Sequence, residues 1–272
     1  MKSATHKKQV AVLGGGILGC CTALCLVEKG FHVALFDQES EPMMGASRWN
    51  EGKIHLGYLY SASGGLATAQ RVFPGGLLFK SIMERLLETN LSRFASQTGD
   101  IYLFHKDSAA PPVASMAYCR QVTDLIVQHP FAQRYFLSVS QNPVRVLEQS
   151  EWEELADPRF IEGGVQVPEV SLHTQPLADL LVNRVINEPR IEIHMSRRVR
   201  KLHKKEGGRW DSWQVISEFD KFGPYGFVVN ALWAGRPELD QLTIGKTDSR
   251  THHRYRVSAF VRSAEIADHP SV

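Results

Sequence analysis

The first stretch of the chain reads as strand, helix, strand. Gln9–Leu13 (QVAVL) is a short apolar run of the kind that is buried on both faces in a parallel sheet. Residues 17–29 stay apolar over a helical length, and Gly30 supplies a C-terminal stop. His32–Phe36 (HVALF) follows as a second apolar strand and ends at Asp37. Residues 10–27 carry no charge and follow Lys7 and Lys8, so by length and flanks they also fit a signal peptide or a membrane span. Gly14, Gly15 and Gly16 in the middle of the run oppose that reading, because glycine is costly inside a helix. One βαβ unit accounts for the whole stretch, and no integral membrane segment is expected.

Further along, residues 75–90 (GGLLFKSIMERLLETN) place Leu78, Ile82 and Leu86 on one face and predict an amphipathic helix. Residues 99–105 predict a strand, and Pro111-Pro112 opens a helix over 113–129. Residues 148–157 predict a short acidic helix, and residues 163–169 a loop. Residues 175–187 predict a helix and 198–202 a strand. Glu206-Gly207-Gly208 predicts a hairpin turn, with pairing resumed at 213–215. Residues 226–231 and 251–262 read as two more strands. There is no internal repeat or low-complexity tract.

Composition narrows the class. At about 150 residues per domain, 272 residues make one large domain or two small ones. A hydrophobic share of 43% with 22% charged residues excludes disorder and collagen-like order. Lys and Arg total 31 against 29 Asp and Glu, a net charge of +2, which gives no global reason to bind nucleic acid or an anionic membrane. The local basic run Arg197, Arg198, Arg200, Lys201, Lys204, Lys205 reads as the charged face of an exposed hairpin. Four cysteines in a chain of this length are no disulfide scaffold, and no CxxC pair suggests a metal. Cys20, Cys21 and Cys25 read as small residues packing a helix onto a sheet. A reduced, cytoplasmic setting is expected.

The turn between the first strand and helix is Gly14-Gly15-Gly16-Ile17-Leu18-Gly19, a GxGxxG run, and Asp37 stands eighteen residues beyond Gly19. Gly14 permits the tight turn, Gly16 lets the backbone approach a pyrophosphate, and Gly19 lets the helix pack close to the strand. The helix start, at Ile17 and Leu18, offers N–H groups and a positive dipole end to phosphates. Asp37 accepts both hydroxyls of an adenosine ribose and repels a 2′-phosphate. A turn that merely packs is the bland alternative. The fingerprint does not separate NAD from FAD, so an NAD-dependent dehydrogenase and a non-catalytic dinucleotide-binding fragment both remain open.

The next loop, Ser47-Arg48-Trp49-Asn50-Glu51-Gly52-Lys53-Ile54-His55-Leu56-Gly57-Tyr58-Leu59-Tyr60, contains N-x-G-x-x-H-x-G-x-x-Y. Placed soon after the ribose acid, it resembles the FAD-dependent oxidoreductases that include D-amino-acid, glycine and sarcosine oxidases. Within that family the run is most similar to members acting on glycerol 3-phosphate and L-2-hydroxyglutarate. The resemblance implies FAD as cofactor, with Ser47 and Arg48 at its phosphates. It implies that Asn50, Gly52, Lys53 and Ile54 run beside the flavin ring, and that His55 lies near the flavin on the substrate side. There His55 is either an acid or base, or a structural residue that fixes the loop. Val199 corresponds to a valine whose backbone pairs with adenine, and residues 226–231 to a strand leading to a glycine near the cofactor, here Gly235. Tyr58 and Tyr60 face either substrate or core.

The resemblance further implies an α/β fold: a Rossmann-like FAD-binding domain (1–75 and 150–245) with a discontinuous α+β substrate domain (76–149, its sheet resuming at 246–272). The reaction implied is hydride transfer from a C–N or C–O bond of a small amine or hydroxy acid to flavin. The electron acceptor is left open. A chain lacking the C-terminal third of such a protein is expected to expose a sheet edge at 255–261 and to retain FAD weakly.

Overall fold

The structure, a computed structural model, describes residues 8–206 and 211–245; the tip of the expected hairpin and the strand expected over 251–262, with its edge at 255–261, lie outside them. In chain order the elements are β1 (Gln9–Leu13), α1 (Ile17–Glu28), β2 (His32–Phe36), β3 (Lys53–Ile54), α2 (Ala67–Leu87), β4 (Asp100–His105), α3 (Pro112–Val127), β5 (Arg145–Val146) and α4 (Gln149–Glu153). They continue with β6 (Ile161–Val167), β7 (Val170–Ser171), α5 (Thr174–Ile186), β8 (Ile191–His194), β9 (Val199–Lys205), β10 (Ser212–Ser217), β11 (Lys221–Tyr225), β12 (Phe227–Asn230) and α6 (Arg236–Ile244).

The chain forms two compact units. The first runs to Asn50 and resumes at Thr174; the second is Glu51–His173. These changeovers fall before and after the 75/76 and 149/150 boundaries drawn from sequence. The pairings explain the shift: Lys53 and Ile54 of β3 pair with Ser171 and Val170 of β7, which draws both segments into the second unit.

In the first unit a parallel sheet has the order β12-β1-β2-β8. Val10 lies opposite Phe227 on one side and Val33 on the other. Both faces of β1 are covered, which is why its apolar run is unbroken. Ala11 and Leu13 join Ala34, Phe36, Val215, Tyr225 and Leu239 in one core cluster, on the side of the antiparallel sheet β11-β10-β9. Val12 points the other way, toward Gly19 of α1. The seemingly membrane-length run is thus divided between β1 and α1, and among the described residues no helix is long and apolar enough to cross a membrane. The basic hairpin is ion-paired along its length: Arg200 with Glu218, Lys204 with Asp211 at 2.7 Å, and Arg197 with Asp220 at 3.1 Å.

In the second unit β6 is the central strand of β4-β6-β5, antiparallel to both neighbours. This corrects the loop expected at 163–169. Two glycines hide the strand from propensity, and one of them is there for packing. A side chain at Gly164 would come within 2.9 Å of Leu103 and Leu147. The first long helix of this unit also departs from expectation. It begins at Ala67 and carries Pro74 inside it, at the cost of one backbone hydrogen bond. Its buried stripe is Phe73, Leu77, Met83 and Leu86, whereas Ile82 is exposed. Phe73 and Leu77 lie four residues apart across the proline and set that stripe. They pack with Tyr118, Val122, Ile126, Val165 and Val167.

Leu77 has no exposed surface and sits inside that cluster. Leu77→Ala is expected to lower the unfolding free energy by about 3 kcal/mol, read as a reduced urea midpoint at unchanged slope.

Candidate cofactor and catalytic site

The glycine turn sits at the carboxyl end of β1, where the chain returns to one side as β2 and to the other as β12. That is a topological switch point, the place where open α/β sheets bind ligands. Gly14 has φ of +103° and donates its N–H to the Phe36 carbonyl at 2.8 Å. A Cβ on Gly14 would stand 2.5 Å from the Ala231 carbonyl oxygen. The backbone that closes on the turn is therefore Ala231–Leu232, while Gly235 leads into α6. A Cβ on Gly19 would fall 1.7 Å from the Gly14 carbonyl oxygen, so α1 touches the turn only because Gly19 has no side chain.

Gly16 is the extended N-cap of α1. The N–H groups of Ile17, Leu18 and Gly19 precede any intrahelical acceptor. Ile17 donates to Ser47 Oγ at 3.1 Å, and Leu18 is 65% exposed. Asp37 takes the Gly15 N–H on one carboxylate oxygen and the Glu39 N–H at 2.9 Å on the other. A carboxylate has about four lone-pair sites, so capacity remains for ribose hydroxyls. Arg197 N–H donates to the Asp37 carbonyl at 2.8 Å, which ties the start of β9, and with it Val199, to the ribose acid. The Val199 side chain itself packs against the Phe36 cluster.

The loop after β2 completes this half. Arg48 pairs with Asp179 of α5 at 2.6 Å, and its Nε is buried with no hydrogen-bond partner. A buried guanidinium N–H without an acceptor is what a phosphate oxygen satisfies. Asn50 Nδ2 donates to the carbonyls of Ala46 and Ser47, and Thr174 Oγ1 donates to the Arg48 carbonyl at 2.8 Å. A turn free of side chains, helical N–H groups, a ribose acid and an unsatisfied arginine donor together fit a dinucleotide.

The second unit holds the rest of the motif. Gly52, with φ of +72°, exchanges close contacts with Leu172: its carbonyl accepts the Leu172 N–H at 3.0 Å, and a Cβ would stand 2.0 Å from the Leu172 oxygen. Lys53 Nζ lies 2.9 Å from Asp100, which has no exposed surface and also accepts from Ser171 Oγ at 3.2 Å. Burial pushes the Asp100 carboxyl up, and Lys53 and Ser171 only partly pull it back. The Ile54 carbonyl accepts from Tyr135 Oη at 3.0 Å, and the Gly57 carbonyl from Tyr118 Oη at 3.0 Å.

Glu169, which sequence reasoning left at the end of a loop, is the centre of this arrangement. It is fully buried. One oxygen accepts the N–H groups of Leu56 and Gly57; the other accepts Tyr102 Oη at 2.6 Å and faces His55 Nδ1 at 3.5 Å. The imidazole contact is at the outer limit of hydrogen-bond distance, and the buried Nδ1 makes no closer one. Burial alone would raise the Glu169 carboxyl. The groups that face it, His55 and Tyr102 first and then the Leu56 N–H, outweigh burial and hold it below the usual carboxylate range.

Tyr58 is buried with its hydroxyl 3.0 Å from Thr123, and Tyr60 packs on the same core, so both serve packing. Burial pushes the Cys20, Cys21 and Cys119 thiols up to about 12. Among the described residues no cluster of His, Cys, Asp or Glu is arranged to hold a metal ion.

Fold and turn together define a dinucleotide-binding α/β protein. The family described as "FAD dependent oxidoreductase" matches residues 9–264, and the chain belongs to that family; its cofactor is FAD. D-amino acid dehydrogenase 1 of Mesorhizobium japonicum is 42% identical over 50 residues, 18% of this chain and 12% of that protein. Glycine oxidase from Geobacillus kaustophilus superposes with a TM-score of 0.62 at 19% identity, over 88% of this chain and 59% of that one. L-α-glycerophosphate oxidase from Mycoplasma pneumoniae, solved with FAD bound, gives 0.52 at 15% identity, over 87% and 56%. These two likenesses concern fold, and the chain spans little more than half the length of either structure.

Two expectations follow. Gly16→Val puts a branched side chain beside Ser47 at the helix start and should weaken FAD binding at least about tenfold, measured by equilibrium titration of the flavin. Glu169 has a depressed folded pKa, so its ionisation adds stability above the unfolded value of about 4.3, and that stability is lost as pH falls through the lower folded value. The stability gap between wild type and Glu169→Gln should therefore narrow on acidification below about pH 4, read by denaturant titration at stepped pH.

Proposed function

We propose that this chain binds FAD and serves the oxidation of a C–N or C–O single bond in a small amine or hydroxy acid. The observation that carries the reading is His55, held on a clamped loop and backed by a buried carboxylate, in a chain that also carries a complete dinucleotide turn. Gly14, Gly16, Gly19 and the N–H groups of Ile17 and Leu18 take the diphosphate, with Ser47 and Arg48 beside it. Asp37 takes the adenosine ribose, and the backbone of Val199 the adenine. Asn50, Gly52, Lys53 and Ile54 serve the flavin ring, their backbone groups meeting its polar edge.

FAD supplies a two-electron acceptor. His55 takes the proton released from the substrate N–H or O–H as the neighbouring C–H leaves with its electron pair as hydride. The names of the neighbours, glycine oxidase and glycerophosphate oxidase, span the amine and the alcohol case. The N-x-G-x-x-H-x-G run favours the members acting on glycerol 3-phosphate and L-2-hydroxyglutarate. The four cysteines stand as thiols, which supports a reduced, cytoplasmic setting.

Titrated with FAD, the full chain should bind it and show a flavin spectrum that bleaches anaerobically with a cognate amine or 2-hydroxy acid. A protein that takes up no FAD on titration and whose melting temperature rises with NAD would overturn the flavin reading. Bound FAD that no member of either substrate class reduces would overturn the catalytic one. His55→Ala should slow flavin reduction by about 10²–10⁴ while FAD is retained.

A further inference from the structure

We propose that Glu169 is a positioning residue that fixes the tautomer of His55, placing the proton on Nδ1 and leaving Nε2 as the nitrogen that receives a substrate proton. The role of Nε2 rests on the preceding reading; which nitrogen carries the proton does not.

Three side chains grip residues 54–57. Tyr135 Oη donates to the Ile54 carbonyl and accepts the Val170 N–H, both at 3.0 Å. Glu169 takes two consecutive N–H groups, from Leu56 and Gly57, on a single oxygen. Tyr118 Oη donates to the Gly57 carbonyl. The loop that carries His55 is thereby held at both ends, and its imidazole is brought to the remaining oxygen of Glu169. Nδ1 is buried, and the facing Glu169 oxygen can only accept while it is ionised. A lone pair on Nδ1 would face a carboxylate lone pair at 3.5 Å; an N–H there is attracted instead. Nδ1 is the enclosed nitrogen, and the side chain keeps a quarter of its surface open, so an incoming molecule meets the Nε2 side of the ring.

The carboxylate is the charge that faces the ring at Nδ1. Lys53, two residues before His55, is paired with Asp100 at 2.9 Å. Tyr58, Tyr102 and Tyr118 are pushed up, by burial first, and stay neutral. When Nε2 takes a proton, the imidazolium forms beside an ionised carboxylate, which favours the transfer. The proton leaves the substrate nitrogen or oxygen and ends on Nε2; the hydride leaves the adjacent carbon for FAD, so charge and electrons balance. Glu169 touches neither substrate nor flavin in this scheme and acts only through His55.

The test combines nitrogen-15 spectra of histidine-labelled full chain with flavin-reduction kinetics. His55→Ala identifies the His55 signals. Wild type should show a protonated Nδ1 and a lone pair on Nε2. Glu169→Gln, whose amide can donate, should reverse that tautomer. It should also slow flavin reduction by about 10²-fold or more and move the acidic limb of its pH profile downward, while FAD content is kept. Glu169→Asp should restore the wild-type tautomer. A wild-type spectrum with the proton on Nε2 overturns the proposal, whether or not the variants fold. So does a Glu169→Gln protein with the wild-type tautomer and pH profile. If the tautomer behaves as stated but His55→Ala reduces flavin normally, the catalytic reading of His55 fails and the positioning by Glu169 stands.

Discussion

A carboxylate with no exposed surface has to be surrounded by donors, and much of the second unit is arranged around that requirement. Glu169 is ionised inside the protein because two backbone N–H groups, a tyrosine hydroxyl and an imidazole face it. Those donors come from the motif loop and from β4, so satisfying one side chain ties the central sheet to the loop. The tyrosines complete the arrangement. Tyr118 from α3 and Tyr135 from the turn beyond it take the loop carbonyls, and both rings also fill the apolar core around Val122 and Val165. Core packing and loop geometry are thus set by the same residues.

The first unit works by removing atoms. Its turn is defined by side chains that are missing at Gly14, Gly16 and Gly19, so that backbone can touch backbone and helix can touch turn. The polar groups present, Asp37 and Ser47, accept the N–H groups of Gly15 and Ile17. The two units therefore illustrate opposite routes to a rigid site. One excludes side chains so that a ligand's charge meets main-chain dipoles; the other crowds side chains around a single loop.

This contrast explains what was legible in the sequence. The βαβ unit was readable to its residues, because strands buried on both faces give unbroken apolar runs and the turn chemistry is local. The motif loop was readable through its glycines and His55. Glu169 was not, because the residues that define it, at 55–57 and 102, are far away in sequence, and nothing local to Val167-Pro168-Glu169 marks a buried charge. Strand β6 was missed for a related reason: Gly163 and Gly164 lower strand propensity, while the fit of Leu103 and Leu147 over Gly164 is a tertiary fact. The α2 face was displaced because a proline normally opens a helix, and here Pro74 lies inside one.

The ion-paired hairpin has a consequence for how this molecule meets copies of itself. Among the described residues β9 lies at the edge of its sheet, with Arg200, Lys201, Lys204 and Lys205 exposed along it. An edge strand offers unsatisfied backbone groups to any second chain that can add in register. Carboxylates pair two of these cations, Arg200 and Lys204, within the molecule, but a second β9 laid alongside would bring cation against cation. The same charges that lock this strand to its own partner make it a poor template for another.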